Sequence, residues 1–232
     1  MVPTSYKLPY LYAMKIIPTA DGTNTLLHKV LGEHYHSVHG ALQESQHVFI
    51  QEGLAHYPQV KELVVFEMGL GTGLNALLAY DYADKHGIKI HYYAIEAYPI
   101  SLEESQAMQY DELIENTEAF HQIHEAEWNT EVVLCSNFSL FKINSLLEDT
   151  DLSFIPGVDV IFYDAFAPAA QAHLWEPPIL LNMFNLLKNG GHLTTYCAKG
   201  QFKRNLKSVN FEVKGVPGPP GKREITLAFK RF

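Results

Sequence analysis

Three stretches carry side chains whose types and spacing can do chemistry. In Val65-Phe66-Glu67-Met68-Gly69-Leu70-Gly71-Thr72-Gly73-Leu74-Asn75, an apolar run ends at an acid, three glycines alternate, and a helix-forming run follows. That pattern reads as strand, tight loop and helix, with glycines letting the backbone turn sharply and approach a ligand closely. Glu67 selects among ligands. A helix N-terminus holding a pyrophosphate is opposed by a carboxylate beside it. S-adenosylmethionine carries an ammonium, a sulfonium and no phosphate, so the same carboxylate favours it. The Gly-x-Gly-x-Gly spacing also differs from the Gly-x-Gly-x-x-Gly nucleotide fingerprint. Alone, the loop reads also as a structural turn.

About 20 residues further on, where a ribose-binding acid belongs, His91-Tyr92-Tyr93-Ala94-Ile95-Glu96 forms a second strand ending in a carboxylate. Glu96 can accept hydrogen bonds from both ribose hydroxyls. The third stretch, Val158–Tyr163, ends at Asp164 and continues Ala165-Phe166-Ala167-Pro168. Ligands of open α/β sheets sit outside the carboxyl ends of the strands. Asp164 is therefore expected beside the glycine loop, near the donated methyl, where it can orient an amine and accept its proton. Phe166 and Trp175 offer stacking faces for a nucleobase held out of its helix. The structural alternatives are that Asp164 caps a turn and Trp175 is core.

The elements needed to position these groups alternate as a parallel α/β sheet requires. Strands are predicted at 61–67, 90–95, 131–135 or 138–143, 158–163 and 191–197, with helices near 74–86, 99–109, 177–188 and 199–209. Two β-rich runs, 211–216 and 225–229, flank Pro217-Gly218-Pro219-Pro220-Gly221 and predict an antiparallel pair at the sheet edge. A hairpin is expected around Asp21-Gly22, then a helix at about 40–56 with Ala41, Leu42, Val48 and Phe49 on one face. The expected organisation is an extension over 1–58 and a catalytic domain over 59–232.

With 232 residues, 47% hydrophobic and 19% charged, the chain can bury a sizeable core. Cys135 and Cys197 have no metal or redox spacing, and the N-terminus has no signal pattern. A cytoplasmic protein without a membrane partner is expected. The net charge of −9 is unevenly spread: from Lys188 onward ten basic residues face two acidic ones, a local +8. A phosphate-binding face and a solvated basic helix both fit that asymmetry. The cluster Glu33-His34-Tyr35-His36-Ser37-Val38-His39 has the ligand types of a metal site but no common zinc spacing, and no metal is expected.

Taken together, the residues resemble the tRNA 5-methylaminomethyl-2-thiouridine-forming methyltransferase family, the methyltransferase half of bifunctional MnmC. The resemblance covers nearly the whole chain. It rests on Asp21-Gly22-Thr23, Glu33-x-Tyr35-His36-Ser37-x-x-Gly40-Ala41, Glu44-Ser45-x-x-Val48-Phe49, Glu67–Asn75, Asp164–Pro168, Leu174-Trp175 and Pro217-Gly218-Pro219-Pro220-Gly221-Lys222-Arg223-Glu224. It implies an α/β, Rossmann-like class I S-adenosylmethionine-dependent methyltransferase, with a mostly parallel sheet, an antiparallel C-terminal edge pair and a small N-terminal extension. It implies methyl transfer to the primary amine of 5-aminomethyl-2-thiouridine in the anticodon stem-loop of tRNA.

By the same carry-over, Asp164 is the expected catalytic carboxylate. The expected cofactor contacts are Glu67, Gly69, Gly71, Gly73, Asn75, Glu96, Asn144 and Ser145, Asn144 standing where relatives often place an adenine-binding acid. Substrate contacts are expected from Tyr35, His36, Phe166, Trp175, Lys199, Lys203, Arg204, Lys222 and Arg223. The bifunctional relatives continue into a flavin-dependent oxidase whereas this sequence ends at Phe232, so separate enzymes are expected to supply the aminomethyl uridine. A methyltransferase for a small amine and a non-catalytic RNA-binding module are the alternative functions.

Overall fold

The computed structural model describes residues 14–28 and 31–231. Strands β1 (Met14–Pro18) and β2 (Asn24–His28) form the expected hairpin, and β3 (Glu33–His34) adds to it in a three-stranded antiparallel sheet. Its turn is held by Asp21, whose carboxylate accepts from the Thr19 and Thr23 hydroxyls at 2.6 Å each. The other Asp21 oxygen takes the Gln43 N–H at 3.1 Å and so fixes the start of α1 (Ala41–Ser45) against the turn. The predicted helix over 40–56 is composite: α1 widens into a π-helical segment over Gln46–Gln51 and ends in a 3₁₀ turn, Leu54–His56.

The larger sheet has eight strands: β4 (Glu62–Met68), β5 (Lys89–Ile95), β6 (Glu131–Cys135), β7 (Phe138–Ile143), β8 (Val158–Tyr163), β9 (Leu187–Thr195), β10 (Glu212–Pro217) and β11 (Glu224–Phe229). Their spatial order is β10-β11-β9-β8-β4-β5-β7-β6. The five central strands β9, β8, β4, β5 and β7 are parallel, while β6 and the β10–β11 pair run antiparallel at the two edges. Connections from β4 lead to one side and those from β8 to the other, so the crevice between their carboxyl ends is the topological switch point, the usual ligand position of such sheets.

Alternation along β4 divides the core. Leu63 and Val65 face a layer containing α2 (Leu74–His86) and α4 (Glu118–Glu125). Val64 and Phe66 face the layer containing α5 (Pro177–Leu186) and α6 (Gly200–Ser208). Burial on both faces is what near-continuous apolar strands in a parallel sheet require. Both 131–135 and 138–143 are strands, joined as a hairpin. The predicted helix over 99–109 shrinks to α3 (Leu102–Gln106), which the Ser101–Glu104 capping box starts, and Gln109 at φ +57° turns the chain away beyond it. Helix α4 was not anticipated. Among the described residues no helix is long and apolar enough to cross a membrane.

Candidate functional site

Gly69, Gly71 and Gly73 all have positive φ, between +52° and +90°. All three also meet close neighbours, Gly73 the His124 ring at 2.8 Å from an added Cβ. A Cβ on Gly69 would lie 3.0 Å from the Asp164 carbonyl oxygen, and one on Gly71 would lie 3.0 Å from the Tyr35 ring. The Gly69 and Leu70 N–H groups donate to the Ile95 carbonyl at 3.1 and 3.2 Å, tying the loop to the end of β5. Just beyond, the Glu96 carboxylate accepts the Gly71 N–H at 3.0 Å and the Tyr98 N–H at 2.9 Å. Burial raises Glu96 above the usual carboxylate range, against the lowering effect of these bonds. Each of its oxygens keeps a lone pair for a further donor.

Asp164 extends β8 and its N–H donates to the Met68 carbonyl at 3.0 Å. Asn75, in the first turn of α2, directs both amide hydrogens at carboxyl groups: Nδ2 lies 2.8 Å from Asp164 Oδ2 and 2.9 Å from Glu67 Oε1. Glu67 is fully buried, and burial pushes it well above the carboxylate range. Glu67 and Asn75 therefore lie one layer below the cavity, where they hold Asp164 from behind. Burial, reinforced by the charge of Glu44, pushes Asp164 up to about 7, while the Asn75 bond and Lys222 act in the opposite direction.

Above the crevice lies a cavity of about 330 Å³, within the size range of small-molecule sites. Its lining includes Glu33, Glu44, Glu96, Glu148 and Asp164 against one lysine, Lys222. Such a wall favours a cationic ligand and opposes a pyrophosphate. The N-terminal extension supplies one side. Tyr35 packs edge-on to Phe166 with ring centroids 4.9 Å apart. His36 is buried, its Nε2 2.7 Å from the Thr72 hydroxyl in the glycine loop, and burial takes its imidazole down to about 4.

Several expected contacts fall elsewhere. Asn144 turns its amide away from the cavity and donates to the Glu96 carbonyl at 3.0 Å, leaving Ser145 and Leu146 on the wall. Trp175 is core, packed edge-on against Tyr163 and Phe202, and its indole N–H donates to the Phe166 carbonyl at 2.9 Å. It positions the Phe166 backbone and offers no free stacking face. Lys203 is bonded to Glu224 at 2.5 Å. Lys222 points into the cavity, paired with Glu44. Lys199, Arg204 and Arg223 are exposed. Sequence reasoning passed over Glu44, Tyr196 and Glu148 as cavity residues. For Glu44 the signal was an acid on the apolar side of a predicted amphipathic helix.

A family model described as S-adenosyl-L-methionine-dependent methyltransferase matches residues 100–231. Among curated proteins, the chain is 30% identical over 209 residues to the tRNA 5-methylaminomethyl-2-thiouridine biosynthesis bifunctional protein MnmC of Cupriavidus necator, covering 84% of this chain and 31% of that protein. The protein of the same name from Pseudomonas fluorescens is 27% identical over 217 residues, covering 85% and 32%. The chain thus spans about a third of the length of these relatives. Among solved structures, MnmC2 from Aquifex aeolicus superposes with a TM-score of 0.72 over 93% of this chain and 70% of that one, at 23% identity, a likeness of fold. The glycine cradle at the switch point, the acid ending β5 and the acid-lined cavity are what a sulfonium cofactor needs, and with more than half of its length matched, the chain belongs to the S-adenosyl-L-methionine-dependent methyltransferases.

Proposed function

We propose that this enzyme converts 5-aminomethyl-2-thiouridine at the tRNA wobble position to 5-methylaminomethyl-2-thiouridine. The observation that carries the reading is the position of Asp164, at once beside the glycine loop, in an acid-lined cavity and next to the Tyr35–Phe166 aromatic pair. The residues fit the cofactor: the cradle at Gly69–Gly71 has no room for side chains, and Glu96 has acceptor capacity for ribose hydroxyls. Glu96, Gly69, Gly71, Ser145 and Leu146 would hold it. Bound there, S-adenosylmethionine supplies a methyl group activated by sulfonium.

The chain's own part is positioning and proton handling. An acceptor amine arrives as an ammonium and must lose a proton before its lone pair can react. Asp164, ionised above about 7, attracts the ammonium and accepts that proton at its carboxylate, while Asn75 keeps the carboxylate aimed. Tyr35 and Phe166 exclude water and receive the face of the uracil ring. The exposed cations Lys199, Arg204, Lys207 and Arg223 are the phosphate contacts for the anticodon stem-loop. On this reading residues 1–58 are an extension whose segment around Glu33–Glu44 walls the cavity, 59–232 are the methyltransferase domain, and the enzyme acts in the cytoplasm.

The deciding experiment incubates the purified protein with S-adenosylmethionine and tRNA from a strain lacking its gene, then reads the wobble nucleoside by mass spectrometry. Conversion of the aminomethyl to the methylaminomethyl nucleoside is expected. No conversion, with cofactor binding and substrate both demonstrated, refutes the assignment. One observation favours a small amine as acceptor: Lys203, Lys214, Lys222 and Arg231 are all paired with carboxylates, which narrows the basic face. Turnover of a free alkylamine as fast as tRNA would establish that reading instead.

A further inference from the structure

Two residues from distant parts of the chain meet at the cavity. Glu44 in α1 is buried; its Oε2 accepts the Ser37 N–H at 2.9 Å and its Oε1 contacts Lys222 Nζ. Lys222 belongs to the turn between β10 and β11, and its ammonium sits 4.0 Å from the centroid of the Tyr196 ring. The turn is pressed onto the extension. A Cβ on Gly221 would lie 2.8 Å from the His39 ring, and the Pro217 carbonyl is 2.8 Å from His47 Nε2. Glu44, Lys222 and Tyr196 line the same cavity as Asp164.

We propose that Glu44 and Lys222 are positioning residues of the transfer site, a carboxylate–ammonium pair that sets the charge facing Asp164 and draws the β10–β11 turn over the acceptor amine. The inference rests on the amine-acceptor reading above. Asp164 is faced by Glu67 of β4, Tyr92 of β5, Asn75 of α2, Tyr196 beyond β9, Glu44 of α1 and Lys222 of the turn. Burial raises Glu67, Tyr92 and Tyr196 alike and so opposes the charged form of each. Glu44 and Lys222 form the ion pair beside it, and their effects on Asp164 are opposed. With both present their charges offset each other beside Asp164, whose own carboxylate is left to meet one ammonium. Without Lys222 the charge of Glu44 adds to that of Asp164, so an ammonium would bind more tightly and release its proton less readily.

The test is a titration of the Asp164 carboxyl carbon by ¹³C NMR in the full chain, assigned by its disappearance in Asp164→Asn. Glu44→Gln should lower the midpoint and Lys222→Met should raise it, each by about half a pH unit or more, while Lys222→Arg stays with the wild type. Methylation should follow: in Lys222→Met, KM for the acceptor and kcat at neutral pH both fall. Midpoints that move together, or not at all, in folded variants overturn the proposal. Lys222 lies on a surface turn with its side chain 28% exposed, so Lys222→Met keeps the fold and carries the test alone if Glu44→Gln does not fold. The titration needs no tRNA. A wrong acceptor leaves it unchanged, and a wrong pairing leaves wild-type methyl transfer unchanged.

Discussion

Asp164→Asn should make the protein more stable at pH 8 while abolishing turnover. An asparagine keeps the shape, and its amide oxygen can still accept the Asn75 bond now made at 2.8 Å. What it removes is a buried carboxylate that resists ionisation. In the folded chain Asp164 is pushed from the usual 3.8 to about 7. Between those values the folded protein holds a proton that the unfolded chain has released, so wild-type stability falls as pH rises across that window. The full span corresponds to about 4 kcal/mol at about 1.4 kcal/mol per pH unit. Water at the cavity mouth screens part of this, and about 2–4 kcal/mol is expected. Urea unfolding of both proteins at pH 4.5 and pH 8 isolates the term, because every other titrating group is common to the pair. The stability difference should be small at the lower pH and favour the variant at the higher. A difference independent of pH, or a wild type more stable at pH 8, would show that Asp164 ionises as an ordinary surface acid and could not serve as a base tuned near neutrality.

Methylation rate in the wild type should rise with pH through about 7, the ionisation of Asp164, as kcat/KM measured between pH 6 and pH 9 would show. Gly69→Ala combines a φ of +90° with a Cβ 3.0 Å from a backbone oxygen that cannot swing away. It should cost about 1–3 kcal/mol of stability and weaken S-adenosylmethionine binding in calorimetry. Glu96→Ala removes the acceptor of two backbone N–H groups and the proposed ribose ligand; loss of about 2–3 kcal/mol of charge-assisted bonding predicts cofactor affinity down by about 30- to 150-fold. Reversing Arg204 and Arg223 to glutamate should raise KM for tRNA and flatten its salt dependence without affecting a minimal aminomethyl nucleoside.

Much of the scaffold is readable in the chain because apolar runs bounded by glycine and acid leave few alternatives. Helix α2 was predicted over 74–86 and occupies those residues, between two glycines of positive φ, Gly73 and Gly87. Strand β8 likewise keeps its predicted bounds. Helix α4 escaped although Ala119, Phe120 and Ile123 are buried at helical spacing, because histidines and glutamates dilute its short apolar stripe. The predicted helix at 40–56 was right in its buried residues and wrong in its winding, since a 3.6-residue period carries no trace of the wider π turn at Gln46–Gln51. At the site, the glycine loop, Glu96 and Asp164 were legible as strand-end motifs. The pairings were not. A count of lysines and arginines cannot show that Lys203 meets Glu224 or that Lys222 turns inward to Glu44, because those partners lie 21 and 178 residues apart in sequence.

The edge position of the β10–β11 pair has a consequence for synthesis. In the finished sheet β9 is covered on its outer side by β11 alone. While a ribosome is still making residues 196–229, β9 has been formed without that neighbour, and its free N–H and C=O groups are those of an open, apolar edge, a template for pairing with other chains. The partner strand lies roughly 30 residues downstream, a delay of about 2–6 s at about 5–20 residues per second. Helix α6, made in that interval with charges along its outer face, adds to the cover that α5 already gives the same layer. A nascent chain stalled before Glu224 would have the glycine loop, Glu96 and Asp164 but an unsealed sheet, a species for chaperones and proteases to handle before it could handle substrate.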